Sequence, residues 1–148
     1  MRKRTMAVLT AVAVALLTGL SAAPAQAAGG VMIYRAYYNS PGPDTRSNAS
    51  LNAEYIQLKN TTKVTKYVTG WTLRDRQNHI YRFPTTKIGP GQTLYVRTGK
   101  GTNNANNRYW GRTSYVWNNT GDAAYLRNSR GALIDSCSWG SSGSWKYC

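Results

Sequence analysis

The sequence predicts an all-β chain, an immunoglobulin-like β-sandwich, on three observations. Beyond the first residues no stretch carries the apolar period of an amphipathic helix. Short runs of alternating apolar and polar residues recur instead, bounded by Gly, Pro and Asn. Their number and length suit two packed antiparallel sheets.

Each run can be placed in order. Val31 to Tyr38 is a strand that stops at Pro41-Gly42-Pro43-Asp44, where proline fixes the backbone angles. Ala53 to Asn60 follows, with Ile56 and Leu58 on one side and Tyr55, Gln57 and Lys59 on the other, because side chains two apart share a face. Trp71 to Asp75 points Trp71 and Leu73 inward and Thr72 and Arg74 outward. His79 to Phe83 buries Tyr81 and Phe83 and exposes Arg82, after which Gly89-Pro90-Gly91 reverses the chain. Thr93 to Arg97 buries Leu94 and Val96. The Gly/Asn-rich segment from Gly99 to Arg108 reads as a plain, mobile connecting loop. Ala123 to Arg127, with Ala124 and Leu126 inward, turns at Ser129-Arg130-Gly131 into a last strand, Ala132 to Cys137.

Arg2, Lys3 and Arg4 precede an apolar run from Met6 to Leu20, and Ala25-Gln26-Ala27 offers a cleavage site, so residues 1–27 read as a bacterial secretory signal peptide. The run is too short for a comfortable membrane span. Residues 28–148 then form one exported, extracellular domain. The chain holds 19 Lys and Arg against 5 Asp and Glu, a formal charge of +14 that favours polyanionic partners. Two cysteines in an exported chain, Cys137 and Cys148, are expected to pair and staple the tail. A metal site is not expected, since two thiols and the single histidine, His79, do not make a four-ligand set.

Catalysis gains little support. His79 sits at an expected hairpin tip, and the carboxylates Asp44, Glu54, Asp75, Asp122 and Asp135 are scattered, with no acid/base pair in sequence. Thr98-Gly99-Lys100-Gly101 lacks the hydroxyl residue of a phosphate loop. Asn118 to Asp122 reads as a turn, with calcium as the alternative. The chain is therefore read as a non-enzyme without a cofactor. More informative is a repeated outward pair, Tyr95-x-Arg97 and Tyr125-x-Arg127, which sets a ring and a guanidinium on one side of each strand. Guanidinium forks bind phosphate or carboxylate, and tyrosine rings stack on bases or sugars. Exposed strands carry such residues for solubility as well.

The order of Glu54-Tyr55-Ile56-Gln57-Leu58-Lys59-Asn60, Gly70-Trp71-Thr72-Leu73-Arg74-Asp75, Tyr81-Arg82-Phe83-Pro84 and Gly89-Pro90-Gly91-Gln92 resembles the lamin tail domain. Tyr109-Trp110-Gly111, Trp117-Asn118-Asn119, Gly121-Asp122 and Ala124-Tyr125-Leu126-Arg127 resemble the second half of its secreted bacterial versions. The resemblance covers roughly Ala53 to Asp135 and implies the same immunoglobulin-like fold and a binding or scaffolding role. In nuclear lamins the Arg of the Tyr-Arg-Phe-Pro motif belongs to a basic surface implicated in DNA and partner binding, which implies such a role for Arg82. Lamins place a Lys shortly after the Pro, whereas here Thr85 and Thr86 come before Lys87. The lamin rod is absent, so no filament role is implied.

The expected polyanion set is thus Arg74, Arg82, Lys87, Tyr95, Arg97, Tyr125 and Arg127, on a basic, tyrosine-interleaved sheet face, for extracellular nucleic acid or an anionic wall polymer. The alternatives are a glycan module using Trp139, Trp145 and Tyr147, and a protein-interaction domain. Of the tail aromatics, Trp139 and Trp145 are expected to fold back and cap the sandwich. Oligomeric state is not legible in the sequence.

Overall fold

The computed structural model describes residues 30–148; the leader-like segment 1–27 lies outside the described residues. The elements run β1 (Val31–Tyr37), α1 (Asn48–Ala53), β2 (Tyr55–Asn60), β3 (Lys66–Tyr67), β4 (Thr72–Arg74), β5 (Ile80–Arg82), β6 (Lys87–Ile88), β7 (Thr93–Arg97), β8 (Asn107–Tyr109), β9 (Asp122–Arg127), β10 (Leu133–Trp139) and β11 (Trp145–Tyr147). A five-stranded sheet, ordered β11-β1-β2-β7-β8, faces a four-stranded sheet, β10-β9-β4-β5, and β3 pairs with β6 separately. All pairings are antiparallel except β7 with β8. This is the immunoglobulin-like sandwich that the alternation predicts.

The predicted inward residues fill the space between the sheets. Ile56, Leu58, Leu94 and Val96 come from the larger sheet and Leu73, Tyr81, Phe83, Ala124 and Leu126 from the smaller, all buried, and Ile33 of β1, not assigned a face in the sequence, joins them. Each large side chain so buried contributes roughly 1.5–3 kcal/mol, offset by the entropy of ordering the chain. Trp71 is only partly buried and packs against this core from its border. Trp117, from the segment between β8 and β9, is 1 % exposed and is a centre of the aromatic packing: Trp110 and Trp139 both meet its ring near 5.9 Å.

Several expectations change. Residues 48–53 are helical although no amphipathic period marks them, because the helix is under two turns long. Ser47 caps it, its side chain accepting from the Ser50 N–H, and only Leu51 is buried. The Gly99 to Arg108 segment is more than a connecting loop. It ends in β8, and its Lys100 is held on both backbone atoms: its N–H donates to Asn48 Oδ1 and its carbonyl accepts from Asn48 and Asn52. Tyr55 and Gln57 face outward yet are buried, covered by long side chains of the neighbouring strands. Trp139 caps the core as expected, stacked on Tyr38 at 4.8 Å with its indole N–H donating to the Asn118 carbonyl. Trp145 does not: as part of β11 it is 46 % exposed and Tyr147 is 53 % exposed.

The tail closes one side of the sandwich. Strand β11 adds to β1 in one sheet while β10 borders the other, and the Cys137–Cys148 disulfide ties the two together. Beyond the reach of β11, the free N–H of Ile33 donates to Asp135 Oδ2 at 2.8 Å, so a carboxylate from β10 completes the edge where β1 is bulged. Among the described residues no helix is long and apolar enough to cross a membrane.

Replacing both cysteines, Cys137→Ser with Cys148→Ser, releases this clip. A loop with a sequence separation of 11 residues corresponds to a loss of about 3 kcal/mol. Thermal unfolding of the double variant is expected to fall by roughly 10 °C; an unchanged midpoint would show that β11 holds to β1 without the bond.

Candidate functional site

Alternation sends the polar residues of each sheet away from the core, and the two outer faces point in opposite directions. On the four-stranded sheet, cross-strand register aligns Arg82, Thr72 and Arg127 in one row and Ile80, Arg74 and Tyr125 in the next. The β9–β10 turn adds Arg130. Its geometry is set locally: Asn128 Oδ1 accepts from the N–H groups of Arg130 and Ala132, and Gly131 takes a positive φ of 83° that L side chains avoid. Arg74, Arg82, Arg127 and Arg130 together line a cleft of about 350 Å³.

The guanidinium groups are aimed by backbone and ring contacts. Arg82 donates to the Gly70 carbonyl at 3.0 Å, Arg127 to the Gly131 carbonyl at 2.9 Å, and Arg74 to Asn78 Oδ1 at 3.2 Å while lying 5.7 Å from the Tyr125 ring centre. No carboxylate joins them. Among the described residues the one contact of a carboxylate with a basic side chain within 4 Å is that of Asp75 with His79, 2.6 Å apart at the β4–β5 hairpin. Asp75 also accepts from the His79 N–H, so the pair braces that turn. Asp122 is likewise engaged by backbone, accepting from the N–H groups of Arg76, Asn118 and Ala123.

The predicted polyanion residues do not all share one face. Arg74, Arg82, Tyr125 and Arg127 converge on the four-stranded sheet. Tyr95 and Arg97 lie on β7, on the outer face of the other sheet, where Arg97 donates to Asn107 Oδ1 and to the Asn52 carbonyl. Lys87 is exposed on β6, at the rim of a separate groove of about 910 Å³ that buried Arg108 also lines. The reason is topological: alternation separates inward from outward but does not say which sheet a strand joins. Sequence reasoning missed Arg130, which sits in a turn rather than a strand, and the outward pair Arg35 and Tyr37. Two residues apart on β1, that pair repeats the Tyr-x-Arg spacing in reverse order.

The family model described as Lamin Tail Domain matches residues 24–141. No curated protein matches the chain.

Behind the Arg97 face lies one buried acid. Glu54 is inaccessible to solvent, its Oε1 accepting from Thr98 Oγ1 at 2.6 Å and from the Val116 N–H at 2.9 Å, while Oε2 has no partner. Burial outweighs those hydrogen bonds and pushes its carboxyl up from 4.5 to about 7. Below pH 4.5 the folded and unfolded chains both hold this proton. Between 4.5 and about 7 only the folded chain does, so the stability gained from the neutral carboxyl is lost as pH rises through that window. The loss is on the order of 3 kcal/mol. Glu54→Gln keeps the acceptor and cannot ionise. Denaturant unfolding across pH 4 to 8 is expected to show stability falling for the native chain relative to this variant; parallel curves would place the pKa of Glu54 near that of an exposed carboxyl.

Proposed function

The chain belongs to the lamin tail domain family, and from that premise we propose that it is an exported, non-enzymatic binding module that holds a polyanion on its four-stranded face. The carrying observation is the cleft in which Arg74, Arg82, Arg127 and Arg130 meet with no carboxylate among them. Four cations gathered without a carboxylate partner raise the local potential, which anions filling the space between them would offset. Arginine favours phosphate or carboxylate oxygens because its planar fork can donate two parallel hydrogen bonds.

The ligand fitting this reading is extracellular nucleic acid, engaged through its phosphates, or an anionic envelope polymer of similar charge spacing. Tyr125, beneath Arg74, orients that guanidinium by a cation–π contact. Export is supported by the basic start and apolar run of residues 1–27 and by the disulfide, which persists in oxidising compartments. The family is one of non-enzymatic immunoglobulin-like domains, in keeping with a role in binding.

Titrating the protein with a labelled DNA duplex at several salt concentrations tests the reading. Binding is expected to weaken steeply with salt, and in the Arg74→Ala, Arg82→Ala, Arg127→Ala variant the logarithmic salt slope should shrink by roughly 3, about one unit per lost phosphate contact. Binding that ignores salt, or a slope unchanged in the variant, would remove the cleft from consideration.

A further inference from the structure

The outer face of the five-stranded sheet carries a second, different surface. Register aligns Trp145, Tyr37, Tyr55 and Arg97 across β11, β1, β2 and β7, and the next row runs Tyr147, Arg35, Gln57 and Tyr95. With strands about 4.8 Å apart, these rows span about 14 Å of sheet. The rings form two groups that Arg35 bridges: Tyr37 and Tyr55 are 5.4 Å apart and Tyr55 and Tyr95 5.2 Å, while Trp145 and Tyr147 are 5.0 Å apart. Arg35 lies within 6 Å of three of them, its guanidinium 5.2 Å from Tyr55, 5.9 Å from Trp145 and 5.8 Å from Tyr147. Arg97 approaches Tyr55 at 5.5 Å and Tyr95 at 5.3 Å.

We propose that this face binds an acidic polysaccharide, its carboxylates taken by Arg35 and Arg97 and its sugar rings laid against Trp145, Tyr147, Tyr37 and Tyr95. The charge is complementary. All 5 Asp and Glu side chains lie elsewhere: Glu54 is buried, Asp75 and Asp122 engage backbone at the other sheet, Asp135 is on β10 and Asp44 follows β1. Arg35 is positioned among the rings by donating to the Tyr55 hydroxyl. Tyr and Trp give apolar faces for the C–H sides of sugars together with a polar tip for hydroxyl groups. A string of nucleobases fits less well. The rings meet at 30°, 76° and 79° rather than forming parallel bays, and guanidinium groups approach Tyr55 from two strands.

The test uses intrinsic tryptophan fluorescence of the whole protein, with Trp145 as the exposed reporter, against polygalacturonate, its methyl-esterified form and oligothymidine. Polygalacturonate is expected to change the emission and bind most tightly. Trp145→Phe should keep that affinity and lose most of the signal. Combining Trp145→Ala with Tyr95→Ala should weaken binding at least about 5-fold, read by sedimentation with the polymer, on the scale of the loss of one stacked ring. Because the cleft lies on the opposite sheet, the Arg74→Ala, Arg82→Ala, Arg127→Ala variant should retain the Trp145 emission change with polygalacturonate, so failure here and failure of the duplex test are separate results. Equal binding of the esterified polymer would overturn the carboxylate assignment. Tighter binding of oligothymidine with the same emission change would overturn the polysaccharide in favour of nucleic acid, and an affinity untouched by the double alanine variant would overturn the site.

Discussion

Burial of one face of every strand is the constraint on which the rest of this molecule depends. Two sheets can pack only if their facing residues are apolar, and with a period of two that requirement hands every intervening position to the outside. In a chain of +14 with few acids, the outside positions fill with Arg, Lys and Tyr. Core formation and the display of cations are therefore one decision: Leu73 inward fixes Arg74 outward, Leu126 fixes Arg127, and Val96 fixes Arg97. The sandwich then sends the first two to one side and the third to the other.

How far this could be read in the sequence follows from the same physics. The strand Thr93–Arg97 is found end to end, because an apolar/polar alternation bounded by Gly91 and Gly99 is a complete local signal. Strands β3, β6, β8 and β11 were not foreseen. They span two or three residues, and each exists because a partner elsewhere in the chain supplies its hydrogen bonds, as Arg35 to Tyr37 do for Trp145 to Tyr147. The family resemblance lay in motif residues that are now seen to shape turns and core. Gly70 has a positive φ of 75°, Trp71 packs at the core border, and Phe83 is buried. The candidate sites were legible as side-chain types and as outward positions, but their grouping was not, since strand order is a long-range property. Arg82 beside Arg127 depends on β4 lying between β5 and β9.

Closure of the tail has a consequence beyond stability. An open β1 edge would offer unpaired backbone groups to other chains, the usual route to aggregation for exposed strands. Three devices cover it in succession: β11 pairs along Arg35 to Tyr37, the Cys148 N–H donates to the Tyr34 carbonyl, and Asp135 receives the Ile33 N–H. The disulfide keeps these pieces in register. The same strand that protects the edge carries Trp145 and Tyr147 onto the large sheet, so edge protection and this aromatic surface share one element.

The two faces differ in what they ask of a partner. In the cleft, guanidinium groups stand against backbone carbonyls and one ring, so attraction is mostly between charges and is screened within about 10 Å at moderate salt. On the large sheet the cations lie among rings, and much of any contact is apolar area, which salt does not screen. The faces are separated by a core of Ile, Leu, Val and aromatic side chains, and the buried Glu54 carboxyl contacts Thr98 and Val116 and not the cleft. Packed interiors move little, so occupancy of one face has no built route to the other. The two proposed grips would therefore lie on opposite sides of one sandwich, and the one made of charge alone would weaken more as salt rises.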